Sequence, residues 1–252
     1  MQASASTWVY NLTLDLARLS MPHQPIKGIF IPYRGNLRQF DDTSAVPIVK
    51  SHGVDASTES GLSQHARAII ISIRDPRDCV ASLIKYHNIS FREALQDVQH
   101  AAATCAHLAK DKRSVFLRYE SQFTEKPETL DQIAAVFGQR LSEDQRNQTF
   151  RNSRREAIED LISNLEQHPT ARRVGNDIYD AERQWHKFHA NRTGAIGKWR
   201  DIFTPRDAAR IELRLAAWMH DFGYLAGTKP KLTDRAADLF ERFRSVASLR
   251  SA

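Results

Sequence analysis

The segment "IIISIRDPRDCVASLIKYH", residues 69 to 87, most constrains the fold of this chain. An isoleucine-rich run with strong β preference stops at a charged, proline-containing turn and continues as an amphipathic helical pattern. Strand-to-helix turns of this kind are where α/β proteins hold anions, because the first N–H groups of the helix have no partner within it. Arg74 closes the strand and Ser82 follows eight residues later, so a guanidinium, a hydroxyl and helix N–H groups are expected near one point. The plainer alternative stays open on spacing alone: Arg74 pairs with Asp75 or Asp78 in a surface turn, and Ser82 is a small packing residue.

The same alternation runs along the chain. Strands are predicted at "GIFIP" (28–32), "VPIVK" (46–50), "AIIISI" (68–73) and "VFLRY" (115–119). Helical patterns cover 6–19, 77–87, 91–110, 127–137, 143–149, 153–166, 178–189, 205–221 and 233–247, with Pro127 and Pro205 in first-turn positions. Strands separated by helices pair in parallel through crossovers, which places ligand sites at their carboxyl ends. We expect a single domain over 1–252 with a charged helical cap or lid at about 140–190, in which 167–177, "QHPTARRVGND", is a mobile loop.

Charge and cysteine content narrow the class. Lys and Arg number 36 against 30 Asp and Glu, a formal charge of +6 that suits an anionic ligand as well as nucleic acid. In the arginine-rich stretch 151–173, Glu156, Glu159, Asp160 and Glu166 interleave, which reads as a solvated helix face rather than a nucleic-acid surface. Cys79 and Cys105 are too few for a disulfide framework and read as core thiols. No apolar run has the length of a membrane span and the start lacks a signal-peptide pattern, so a cytoplasmic protein is expected, in which the sequon-like triplets at Asn11, Asn88, Asn147 and Asn191 carry no sugar. No His/Cys cluster has metal-ligand spacing, and no metal is expected.

Two further stretches carry chemistry. "SASTWVYN", residues 4–11, places hydroxyl and small residues before an apolar helix, as phosphate-cradling loops do, although a simple Ser/Thr cap at Ser4 or Ser6 explains the same residues. In "VPIVKSHGVD", 46–55, Lys50 and His52 are i and i+2 at a strand end and therefore share a face. An imidazole there is suited to accepting a proton at neutral pH, and the ammonium to stabilising developing negative charge; an exposed strand-end histidine is the plainer reading.

Taken in order, "STWVYN", "VKSH", "SIRDPRDCVASL", "FLRYESQFTEKPETLDQIAAVFG" and "NRTGAIGKWRDIFT" resemble the sulfotransferases that use 3′-phosphoadenosine 5′-phosphosulfate (PAPS), from Ala3 to about Tyr224. The resemblance implies a P-loop nucleoside-triphosphate-hydrolase-like α/β fold, a parallel sheet flanked by helices. It makes Ser4, Ser6 and Thr7 the loop for the 5′-phosphosulfate, with Trp8 stacked on the adenine. Lys50 and His52 match the catalytic lysine and histidine, Arg74 and Ser82 the grip on the 3′-phosphate, and Tyr119 a residue near the adenine. Arg192 and Gly194 match a late loop that closes over the 3′-phosphate, with Thr193 and Lys198 where the family has lysine and aspartate. Trp199 fits the same run as a core residue.

The family pattern also begins with a central strand and a basic loop residue where this chain has Ala3. On that pattern the first strand is expected to be missing, the natural chain to start upstream of Met1, and activity to be reduced. The resemblance implies sulfuryl transfer from PAPS to a hydroxyl or amine of a small-molecule or glycan acceptor, with no nucleic-acid partner; a homodimer stays open. The acceptor pocket is expected from 33–45, 84–100 and 167–190, which carry Phe40, Tyr86, His87, Phe91, Tyr179, Trp185 and Phe188. Two alternatives are a phosphoryl-transfer kinase, which calls for a Gly-Lys-Ser/Thr loop and a strand-end aspartate, and a non-catalytic nucleotide-binding relative.

Overall fold

The computed structural model describes residues 1–32, 44–175, 177–191 and 194–227. The predicted helix 233–247, Phe40, Arg192 and Thr193 lie outside the described residues. Two compact units are formed, one from Met1–Arg74 and Thr104–Gly194, the other from Asp75–Ala103 and Ala195–Ala252.

In the first unit, helix α1 (Ser6–Ser20) is buried almost all round: every residue from Thr7 to Leu14 is buried, with Leu16 and Ala17. A helix that is apolar on all sides becomes a core element rather than a surface one. Of its three buried polar residues, Asn11 donates its amide to Thr7 O and Arg183 O, Thr13 donates its hydroxyl to Val9 O, and the Thr7 hydroxyl accepts from Lys50. Against it pack β1 (Ile26–Ile31) and β2 (Val46–Ser51), parallel in the register Ile26↔Val46 to Ile31↔Ser51.

A second parallel pair joins β3 (Ile69–Ile73) to β4 (Ser114–Arg118). Helix α2 (Ala56–His65) follows β2, capped by the Asp55 carboxylate, which accepts from the N–H groups of Ser57 and Thr58. The main core gathers Trp8, Leu12 and Leu16 of α1, Leu117 of β4, and Leu130 and Ile133 of α5 (Glu128–Ala134). Helices α6 (Glu143–Ser153) and α7 (Arg155–Ser163) carry Phe150, Ile158 and Ile162 to the same core.

The strand and parallel-pairing expectations hold, and two expectations in the cap do not. Residues 178–189 are not a helix, and 167–177 is not simply a loop: β5 (Ala171–Val174) and β6 (Asp177–Asp180) form an antiparallel hairpin, followed by a 3₁₀ turn at Lys187–Asn191. The cause is Asp180, fully buried, whose carboxylate accepts from Glu182 N, Arg183 N and the Thr170 hydroxyl. An aspartate that binds the backbone two and three residues on offers a turn in place of a helix. Gln184 then takes a left-handed φ of 57°, and Trp185 enters the core.

The second unit is helical: α3 (Pro76–His87), the start of α4 (Phe91–Leu108), α8 (Trp199–Ile202), α9 (Pro205–Arg214) and α10 (Ala216–Asp221). Ala81, Trp199 and Ala208 form its small core with Phe203 against them. Cys79 and Cys105 are both buried. Among the described residues no helix is long and apolar enough to cross a membrane.

Candidate active site

The N-terminus of α1 differs from an ordinary helix start. Its N-cap, Ala5, has φ 60° and gives no side-chain cap, and no acidic residue stands in the first turn. Ala3 is also left-handed, at φ 56°. Left-handed residues in such a loop turn successive N–H groups toward one side, a concave arrangement that attracts anions, and the unpartnered helix N–H groups add to it. An alanine gains nothing intrinsic from that conformation, which costs about 1–2 kcal/mol per non-glycine residue, so the surrounding contacts impose it.

Lys50 and His52 reach this helix start from β2. The buried Lys50 ammonium donates to Thr7 Oγ1 at 2.7 Å, and the His52 ring nitrogen Nδ1 lies 3.5 Å from Ser6 Oγ. Both side chains meet Phe30 of β1: Lys50 Nζ is 5.5 Å from its ring centroid, and the His52 ring is 5.7 Å away in an edge-on arrangement. The shared face inferred from the i, i+2 spacing is thus formed. Lys50 Nζ also sits 6.0 Å from the Tyr10 ring centroid. Burial first, and the Glu182 carboxylate second, push the Tyr10 hydroxyl up to about 12. Tyr10 therefore stays protonated at neutral pH and donates to Glu182 O at 3.0 Å.

The remaining members of the first unit are placed as follows. Ser4 is fully buried, with its hydroxyl 2.8 Å from Ser72 Oγ and 3.0 Å from Ser72 O, which ties the loop to β3. Arg74 donates from Nη1 to Ala3 O at 2.9 Å and lies over the Tyr119 ring at 4.4 Å. The Tyr119 hydroxyl donates to Gly194 O at 3.0 Å. Gly194 has φ +64°, and a Cβ there would stand 2.6 Å from the Tyr119 oxygen, so this approach requires glycine. The loop, β3, Tyr119 and the late Gly194 are thus brought together. Trp8 is 6% exposed, with its indole N–H on Ser153 O and its ring beside Phe123, which leaves little of it for a ligand.

Ser82 lies in the second unit, half-buried on α3. There the charged turn of the opening motif is engaged within that unit. Asp75 caps α3 and, with Glu212, holds the Arg77 guanidinium, at 2.7 Å and 2.5 Å. Asp78 accepts from Gly197 N and Trp199 N. These roles of Arg77 and Asp78 were not read from the sequence; a carboxylate in the first turn of an apolar helix was the available signal.

Among the described residues no group of three or more His, Cys, Asp or Glu side chains could hold a metal ion. The family model for the sulfotransferase domain matches residues 7–223. Among solved structures the chain is similar to mouse sulfotransferase SULT7A1 complexed with PAP. The two are 15% identical, 86% of this chain and 81% of that chain are covered, and the TM-score is 0.61, a likeness of fold. A retinol dehydratase in complex with androsterone and inactive cofactor PAP is 17% identical over 80% of this chain and 53% of its own, with a TM-score of 0.44. No curated protein matches the chain. Because the family match runs through α1, both parallel strand pairs and the late glycine loop, this chain belongs to the sulfotransferase domain family.

Proposed function

We propose that this sulfotransferase takes PAPS as its donor and passes the sulfuryl group to a hydroxyl or amine of a small-molecule or glycan acceptor. The observation that carries the reading is the meeting of Thr7, Lys50, Ser6 and His52 at an uncapped helix start. The residues present suit such a donor: left-handed Ala3 and Ala5, a helix start without an acidic group, and a buried ammonium make a receptor for a phosphosulfate anion. The PAP carried by the mouse sulfotransferase of like fold also supports a nucleotide of this class.

The bound donor supplies the sulfuryl group and departs as adenosine 3′,5′-bisphosphate. His52, with Nδ1 toward Ser6, takes the acceptor proton on Nε2 while the acceptor oxygen forms its bond to sulfur and the bond from sulfur to the phosphate oxygen breaks. The electron pair of that bond leaves on the phosphate. Lys50, the Ser6 and Thr7 hydroxyls and the loop N–H groups hold the negative charge that gathers there, a task of positioning and electrostatics. Arg74, stacked over Tyr119, grips the 3′-phosphate.

Calorimetry with adenosine 3′,5′-bisphosphate and AMP tests the donor. A preference of about 10-fold or more for the bisphosphate is expected, since a charge-assisted contact contributes about 1.5–3 kcal/mol. Equal affinities would remove the 3′-phosphate assignment.

A further inference from the structure

The two faces of β1 serve different tasks. Ile29 and Ile31 are buried with Val54, while Gly28 and Phe30, at the alternate positions, face α1: a Cβ on Gly28 would meet the Tyr10 hydroxyl oxygen. Phe30 stands opposite Lys50 in the parallel register of β1 and β2, and His52 follows Lys50 by two residues, so the three side chains share one face within the first unit. Phe30 is half-buried, and its ring meets both groups. The Lys50 ammonium lies over it, 5.5 Å from the centroid, and the His52 imidazole lies 5.7 Å away with 62° between the planes, an edge-on contact. A phenyl face carries negative charge density that attracts an ammonium, and edge-on ring pairs are among the favoured arrangements. The contact of His52 Nδ1 with Ser6 Oγ, at 3.5 Å, restrains one point of the imidazole. Contact with a second ring restrains its plane, and the two together direct Nε2.

We infer that Phe30 is a positioning residue for proton transfer: its ring holds the plane of the His52 imidazole while the same ring keeps the Lys50 ammonium beside the start of α1. The inference rests on the reaction proposed above, in which His52 takes the acceptor proton. Phe30 has no group that gains or loses a proton, so it acts only through its neighbours. Lys50 is also held by its 2.7 Å bond to Thr7, and proton transfer depends steeply on the placement of the base, so the effect of Phe30 on turnover runs chiefly through His52.

The test compares wild type, Phe30→Leu, Phe30→Tyr and the double variant Phe30→Leu with His52→Ala. Phe30→Leu keeps an apolar side chain and removes the ring; its kcat should fall about 10-fold, with the acceptor KM and the Kd for adenosine 3′,5′-bisphosphate within about twofold of wild type. Phe30→Tyr keeps the ring and should stay within about threefold of the wild-type kcat. Added to His52→Ala, Phe30→Leu should change turnover by less than about twofold, because a residue that acts through the imidazole has nothing left to act on. A readout apart from activity is the Hε1 resonance of His52, identified by its loss in His52→Ala; in Phe30→Leu it should move toward that of a free imidazole. Should Phe30→Leu fail to fold, Phe30→Met takes its place in every comparison. An undiminished effect of the Leu substitution in the His52→Ala background would overturn the inference, as would an unmoved resonance. A raised acceptor KM at wild-type kcat would overturn it too and make Phe30 a wall of the acceptor site. Wild-type protein that transferred no sulfuryl group, or did so equally well as His52→Ala, would instead bring down the reaction proposed above, and this inference with it.

Discussion

At the start of α1 the chain places no acidic residue and no side-chain cap, and a buried lysine lies 2.7 Å from Thr7. At the start of α3 it places a capping Asp75, Pro76 in the first turn and a buried Asp78, the two carboxylates accepting from N–H groups of the turn and of Gly197 and Trp199. Both are helix N-termini with the same partial positive charge. The second holds its own anions, whereas the first has none in its first turn and, on the reading proposed above, takes the donor's. The bonding around them differs too: the Arg77 guanidinium makes bonds of 2.5–3.3 Å to Asp75 and Glu212, whereas at the start of α1 Lys50 donates to Thr7 at 2.7 Å and His52 and Ser6 stand 3.5 Å apart, at the outer limit of a hydrogen bond. The first start carries two left-handed alanines and no acidic residue, the second two carboxylates that backbone N–H groups and Arg77 engage.

The comparison can be broken most severely at Lys50. Lys50→Met keeps the apolar stem between Tyr10 and Phe30 but removes the ammonium from the receptor. The loss of such a preorganised donor lowers turnover about 10²–10³-fold. Steady-state sulfuryl transfer to a phenolic acceptor measures it, and turnover within a few-fold of wild type would show that Thr7 and the loop amides suffice.

A smaller effect is expected at Gly28, where a Cβ would lie 2.1 Å from the Tyr10 hydroxyl oxygen and 3.3 Å from Glu182 O. Gly28→Ala must displace the tyrosine ring that lies beside Lys50, and overpacking of this kind costs about 1–3 kcal/mol. A denaturant melt reads the loss; unchanged stability would mean that Tyr10 is not fixed by this contact.

Two substitutions at Ala5 sharpen the contrast between the helix starts. Ala5→Gly removes the cost of φ 60° and should raise stability by about 1 kcal/mol without weakening nucleotide binding. Ala5→Asp gives α1 the kind of charge that α3 already has. It should stabilise the helix by about 0.3–1 kcal/mol through the dipole and weaken adenosine 3′,5′-bisphosphate binding by like-charge repulsion. Melting temperature and calorimetry together separate the two; tighter nucleotide binding in Ala5→Asp would contradict the receptor assignment.

Much of this arrangement was legible in the sequence because strand patterns and i, i+2 spacing are local. All four predicted strands are present to within two residues at each end, and Lys50 and His52 share the face their spacing implied. What escaped depends on where one side chain finds its partner. The stretch "YDAERQWHKF" has helix-forming residues, yet Asp180 binds the backbone of Glu182 and Arg183 and turns the chain instead. Helix α2, "ASTESGLSQH", carries no apolar stripe to detect and is set by the Asp55 cap. Asp78 looked like a partner for Arg74, because nothing local shows that amides 119 and 121 residues away will claim it.

The claim at the centre of this account is that His52 acts on the acceptor proton and not on the bound donor. His52→Ala, compared with wild type in sulfuryl transfer and in calorimetry with adenosine 3′,5′-bisphosphate, tests it most directly. Turnover should fall about 10²–10⁴-fold, the contribution of a general base, while the nucleotide Kd stays nearly unchanged. Loss of nucleotide binding in step with turnover would make His52 a structural residue of the loop, and turnover at the wild-type rate would place the base elsewhere.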